Sequence, residues 1–212
     1  MRIAILLAAA TLACGKKPEP KPKIWKPPPS GRAVELQDTL PVATEDVTFT
    51  VGQRPIPGTI VAPKVKGPWP AVLILAGSGP TDRDWNGPLL ATRNGSGKLL
   101  AEELARHGVV AMRFDKAFTG KNPGPPLSEL SLDTYRDEAL AALELLRKRF
   151  DVRKDRIFVA GHSEGGIHAT RLAAAESRLA GVLYLSSASR TLADTLLTQL
   201  EGNLRNPLAG LS

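Results

Sequence analysis

The stretch RIFVAGHSEGG, Arg156 to Gly166, decides how the chain is read. Its first half, with Ile157 and Val159, is a short apolar, β-branched run of the kind that forms a buried strand. Its second half fits G-x-S-x-G, with Ser163 at the tip and Gly161 and Gly165 on either side. Such a serine sits on a tight strand-to-helix turn in a strained backbone conformation, with its hydroxyl thrust clear of the sheet. Glycines flank it because a Cβ at either position has no room. GIHATRLAAAES follows and reads as the helix, so the pattern stands in the context it needs. Ser163 is the candidate nucleophile.

The segments before it alternate between strand and helix. EDVTFTV and TIVAP read as two strands joined by a turn at Pro55 to Gly58, which makes them an antiparallel edge. WPAVLILAG is a continuous apolar run between Pro70 and Gly77, the signature of a strand covered on both faces. KLLAEELARHG reads as a helix ended by Gly108, and VVAMRFD as the next buried strand. In SLDTYRDEALAALELLRKRF the residues Leu132, Tyr135, Ala139, Leu143, Leu146 and Phe150 recur at steps of three and four. AGVLYLSS is a last strand, and RTLADTLLTQLEGNL carries Leu192, Leu196 and Leu200 on one helical stripe. Strands alternating with helices predict an α/β fold: a mostly parallel sheet between two layers of helices.

Acyl transfer needs two backbone amides aimed at the developing oxyanion. One belongs to the residue after the nucleophile, Glu164; the other comes from the loop after the third strand, where Gly77, Ser78 and Gly79 lie and the Ser78 amide is favoured. Asp82, Arg83 and Asp84 on the same loop either shape the entrance to the site or form a solvated ion pair, with direct chemistry the less favoured reading. NGSGKLL is no phosphate loop, because Thr92 stands where the first glycine belongs and Leu99 follows Lys98. No metal site is expected.

Three histidines are available to take the serine's proton. His107 closes a helix, His162 precedes the serine in a turn where successive side chains point apart, and His168 lies five residues along the next helix. None is placed as a general base. Asp194 is a possible acid after the last strand, but no histidine follows it to be oriented.

LAGSGPTDRD, RFDKAFTG and GHSEGG, in that order, resemble the α/β-hydrolase superfamily, and within it bacterial carboxylesterase-like hydrolases. The resemblance spans about residues 45–190. It implies a serine hydrolase of esters or related acyl compounds, working through an acyl-enzyme at Ser163 without a cofactor, with a small-molecule substrate. A serine peptidase of the same fold and a non-catalytic binding protein are the alternatives. Ala76 stands where the family has histidine, and DKAFTGKN departs from the family's loop. The family also has eight strands, with its acid and histidine after the last strand seen here. The 212 residues are therefore expected to be the N-terminal part of the domain, with little activity of their own.

The net charge of +7 falls almost wholly in residues 1–32, where Arg2, Lys16, Lys17, Lys21, Lys23, Lys26 and Arg32 face Glu19 alone. A basic tail without a basic stripe on a periodic segment argues against nucleic-acid binding. MRIAILLAAATLAC has the layout of a secretory signal, far shorter than the ~20 apolar residues that span a bilayer. Cys14, the single cysteine, ends that run and resembles the acylated cysteine of bacterial lipoproteins. The expected organisation is a signal over 1–14, a Pro/Lys tether over 15–33, and the folded domain over 34–212. The matching expectation is export to the cell envelope, with a membrane held through lipid on Cys14.

Overall fold

The structure is a computed structural model that describes residues 39–88, 93–131, 133–187 and 192–205. Six strands form one sheet in the order β1-β2-β4-β3-β5-β6. They are β1 (Val42–Val51), β2 (Arg54–Pro63), β3 (Trp69–Leu75), β4 (Val110–Phe114), β5 (Val152–His162) and β6 (Gly181–Leu185). β1 pairs with β2 and β2 with β4 antiparallel, while β4–β3, β3–β5 and β5–β6 are parallel. The helices are α1 (Ser96–Arg106), α2 (Thr134–Lys148), α3 (Glu164–Ala175) and α4 (Leu192–Arg205). The expected three-layer α/β architecture is the one observed.

The apolar run of β3 shows why both faces are covered. Ala71, Leu73 and Leu75 enter a core with Tyr135, Ala139, Leu143 and Leu146 of α2 and Ala169 and Leu172 of α3. Val72 and Ile74 enter a second core with Ala101 and Ala105 of α1. Successive side chains of a strand point to opposite faces, so a strand covered twice must be apolar at every position. α1 packs over β2 and β4. Further along that face, Val72, Leu104, Phe158, Val182, Leu183 and Leu185 line an apolar groove.

Two sequence expectations shift. The hairpin turns at Gly52–Gln53, not at Pro55–Gly58, and Val51 pairs with Arg54. Pro55 and Pro57 are strand residues, in the half of β2 that β4 does not pair, where a missing N–H costs no ladder bond. α2 ends at Lys148, because Arg149 turns extended (φ −69°, ψ 138°), so Phe150 leaves the apolar stripe and is 94% exposed. Leu132 of the same stripe lies outside the described residues, as do the side chains of Leu192 and Leu196, while Leu200 on α4 is exposed.

The membrane expectation is corrected. No helix among the described residues is long and apolar enough to cross a membrane. The tail on which the lipoprotein reading rested, Cys14 included, lies outside the described residues. The lipid anchor, the membrane partner and the envelope location are withdrawn accordingly.

A buried polar knot ties the loop after β4 to the helical layer. Glu138 of α2 is 0% exposed. Its carboxylate accepts from Arg54 at 2.6 Å, from the Ala117 amide at 3.0 Å and from Asn122 Nδ2 at 3.1 Å. Asn122 Oδ1 in turn accepts from Arg54 at 3.0 Å. One fully buried carboxylate thus meets three donors from three parts of the chain. Glu138→Ala is therefore expected to cost about 3–5 kcal/mol of stability, as for any buried pair that loses one member. Urea denaturation followed by circular dichroism measures it, and a loss below about 1 kcal/mol, the range of exposed pairs, contradicts the description.

Candidate active site

Ser163 joins β5 to α3 with φ 51° and ψ −120°, a backbone conformation that L residues rarely hold. The packing around it explains the strain. A Cβ on Gly161 would lie 2.3 Å from the carbonyl oxygen of Gly165, and a Cβ on Gly165 would lie 2.6 Å from that of Leu75. The first turn of α3 is thus pressed backbone to backbone against the ends of β5 and β3. β6 fixes the turn from its other side. The Ser163 amide donates to the Leu185 carbonyl at 3.0 Å, and the Ser187 hydroxyl lies 2.9 Å from the Ser163 carbonyl oxygen.

The loop after β3 comes up beside the serine. Gly77, Ser78, Thr81, Trp85, Asn94, Ser96, His162 and Ser163 line one cavity of about 370 Å³. A Cβ on Gly77 would lie 3.2 Å from the Cβ of Ser163, so loop and serine are in van der Waals contact. Glu164 opens α3, and the amides of a helix's first turn have no acceptor within the helix. The expected set of Ser163, Ser78, Glu164, Gly161 and Gly165 is therefore brought together. Among the described residues, the Ser163 hydroxyl has no hydrogen-bond partner.

The histidines lie as follows. His107 follows α1, with Nδ1 2.9 Å from the Glu103 carbonyl oxygen. His162 lines the serine's cavity, although its ring is stacked on Trp85 at 4.7 Å between centroids. His168 packs on Tyr135 at 4.4 Å, with Nε2 3.9 Å from the Glu164 carboxylate. Asp194 lies in the first turn of α4.

The Glu164 side chain enters a second cavity, of about 590 Å³, with Gly79, Lys116, Phe118, Tyr135 and His168. His168 beside it holds the Glu164 carboxyl below the usual carboxylate range, helped by Lys116 and opposed by burial. Burial pushes the Lys116 ammonium down, against the pull of Glu164 and Glu138. Burial also drives the Tyr135 phenol far up, so it stays protonated and donates to the Ala76 carbonyl at 3.2 Å.

Sequence reasoning gave Lys116, Trp85 and Ser187 no role, and Tyr135 only a place on the apolar stripe of α2. A lysine at the end of a buried strand was the one visible signal for Lys116. Asp82, Arg83 and Asp84 form no solvated ion pair among themselves. Asp82 caps the amides of Asp84 and Asn86, both at 2.9 Å. The Arg83 amide donates to Asp115 at 2.9 Å, and Asp84 accepts from the buried Arg113 at 2.9 Å. Arg83 and Asp84 fasten the loop to β4 and to the loop that follows it, while Asp82 holds the loop to itself. Among the described residues, no group of three or more His, Cys, Asp or Glu could hold a metal ion.

The profile of the Alpha/beta hydrolase family matches residues 72–211. The chain belongs to this family. Esterase EstD of Thermotoga maritima is 32% identical over 169 residues, covering 79% of this chain and 38% of that protein. An uncharacterized Pseudomonas aeruginosa protein, PA2218, is 30% identical over 97 residues, covering 46% of this chain and 26% of its own length. The crystal structure of PA2218 superposes with a TM-score of 0.58 at 24% identity, over 84% of this chain and 59% of that one. The α/β hydrolase GrgF from Penicillium sp. sh18 superposes with a TM-score of 0.56 at 17% identity, over 81% and 55%. The chain thus spans less than half the length of either curated relative, 38% and 26%.

The positive φ of Ser163 gives a stability test. Strain of this kind costs about 1–3 kcal/mol, and glycine relieves it while losing roughly 0.5–1 kcal/mol to unfolded-chain entropy. Ser163→Gly is expected to be about 1 kcal/mol more stable than Ser163→Ala, which keeps the Cβ and the strain. Parallel thermal melts check this, and equal midpoints contradict the strained turn.

Proposed function

We propose that the chain carries the nucleophile and oxyanion site of a serine hydrolase of carboxylic esters. The observation that supports this most is the strained Ser163, pressed against the Gly77–Ser78 loop at the mouth of one cavity. The name of EstD, an esterase, supports an ester as the substrate class.

In the proposed reaction the Ser163 Oγ attacks the ester carbonyl carbon. A C–O bond forms, the carbonyl π pair moves to oxygen, and the hydroxyl proton passes to a base. The amides of Ser78 and Glu164 donate to the resulting oxyanion. Collapse restores the carbonyl and expels the alcohol with a proton, leaving Ser163 acylated. Water then attacks the acyl carbon, releasing the acid and restoring the hydroxyl. Nothing in this sequence calls for a redox cofactor.

The base is the weak part of these residues. His107 lies beyond α1, His168 is committed to Glu164 and Tyr135, and His162 is stacked on Trp85. A serine hydroxyl without an adjacent base is a poor nucleophile at neutral pH, and an oxyanion site alone leaves about 10³–10⁴-fold catalysis over water. The 212-residue chain is expected to react slowly but selectively at Ser163. Incubation with an alkyl fluorophosphonate over hours, followed by peptide mass spectrometry, should place one adduct on Ser163 and none in Ser163→Ala. An adduct elsewhere, or none at all, contradicts the proposal. Turnover of a short-chain aryl ester should be weak. Fast turnover that vanishes in Ser163→Ala would show that one of the three histidines reaches the serine after all.

A further inference from the structure

Two consecutive carbonyls of the loop after β3 are held by buried side chains from other elements. The Tyr135 hydroxyl of α2 donates to the Ala76 carbonyl at 3.2 Å. The Lys116 Nζ, two residues past β4, donates to the Gly77 carbonyl at 2.5 Å. Lys116 is almost fully buried, and burying an ammonium is costly unless something requires it there. Its ion pair with Glu164 is looser, at 3.8 Å, and its third neighbour is the Tyr135 ring at 5.6 Å. The carbonyl contact is the tightest of the three.

A trans peptide is planar, and its C=O and N–H point in opposite directions. The peptide whose oxygen is the Gly77 carbonyl carries the N–H of Ser78. Whatever holds that oxygen therefore also sets the direction of that amide. We infer that Lys116 is a positioning residue for the oxyanion site: its ammonium, at the carbonyl end of the Gly77–Ser78 peptide, aims the Ser78 N–H and strengthens it as a donor. The inference rests on the reading of Ser163 as nucleophile and Ser78 as oxyanion donor. A positive charge at the oxygen end of a peptide polarises the group toward its hydrogen. In a site shielded from water, such a preset dipole stabilises charge that develops at the other end. Tyr135 does the equivalent for the Ala76–Gly77 peptide without a charge, so the loop is gripped twice and polarised once.

The test uses the 212-residue chain with Lys116→Met and Lys116→Arg, measured two ways. The first is the saturation kinetics of Ser163 phosphonylation by an alkyl fluorophosphonate, which separates reversible affinity from the bond-forming rate. Removing an oxyanion donor outright costs about 10²–10³-fold, so loss of the residue behind one should slow bond formation by about 10-fold in Lys116→Met, with affinity within about two-fold. Lys116→Arg, which keeps a charged donor, should recover most of that rate. A purely structural lysine would not give a rate effect separated from affinity and rescued by charge. The second measurement is amide hydrogen exchange over residues 76–81, which should speed up in Lys116→Met while β3 and β5 stay protected. Should Lys116→Met lose protection across those strands, Lys116→Gln replaces it under the same two criteria. Unchanged bond formation together with unchanged exchange overturns the inference, as does an arginine variant no faster than methionine. If the wild type is not phosphonylated at Ser163, the hydrolase reading fails. The exchange measurement then decides alone whether Lys116 holds the loop.

Discussion

On either side of Ser163, at Gly161 and Gly165, there is no space for a side chain. Gly161 faces the Gly165 carbonyl, and Gly165 faces the carbonyls of Leu75 and Ala76, each closer than any Cβ tolerates. This contact between β5, α3 and the end of β3 sets the rest of the site. It holds Ser163 at positive φ, brings the first turn of α3 to the mouth of the cavity, and sets the Gly77–Ser78 loop against the serine. A close-packed interior lets such a contact bear strain, because neighbours fixed from several sides do not yield. Here the neighbours are fixed from β6, through Leu185 and Ser187, and from α2, through Tyr135.

The loops above the sheet are held by charge rather than by apolar packing. Asp115 takes the amides of Arg83 and Lys121, Glu138 takes Arg54, Asn122 and the Ala117 amide, and Asp84 takes Arg113. These carboxylates take backbone and side-chain donors as partners, which is the condition for burying charge at all. Lys116 is the cationic counterpart, with its charge on a carbonyl of the candidate oxyanion loop. The polar network and the candidate chemistry therefore share residues. A change made for one is felt by the other.

What could be read in the sequence was what repeats or what tolerates no alternative. The continuous apolar run of β3, the stripe Tyr135–Ala139–Leu143–Leu146 and the glycines beside Ser163 each have one physical explanation, and each stands where expected. The misread positions are those where tertiary context decides. Pro55 and Pro57 signalled a turn, yet they sit in a strand segment that lacks a partner on one side. Phe150 kept the helical period, yet the helix stops before it. Arg83 and Asp84 looked like surface charge because their partners, Asp115 and Arg113, lie some thirty positions away. Lys116, Trp85 and Ser187 act through backbone carbonyls, ring stacking and a single hydroxyl, none of which leaves a pattern in composition or spacing. The N-terminal motif pointed to a membrane on local chemistry alone, and no membrane-spanning helix accompanies it among the described residues.

In the proposed hydrolase, Ser163 and two backbone amides form one preorganised site. The most direct measurement is a crystal structure of the phosphonylated chain. The expected result is phosphorus bonded to the Ser163 Oγ, with one phosphoryl oxygen about 2.7–3.1 Å from both the Ser78 and the Glu164 amide nitrogens. A phosphoryl oxygen that faces solvent, or that meets neither amide, would contradict it.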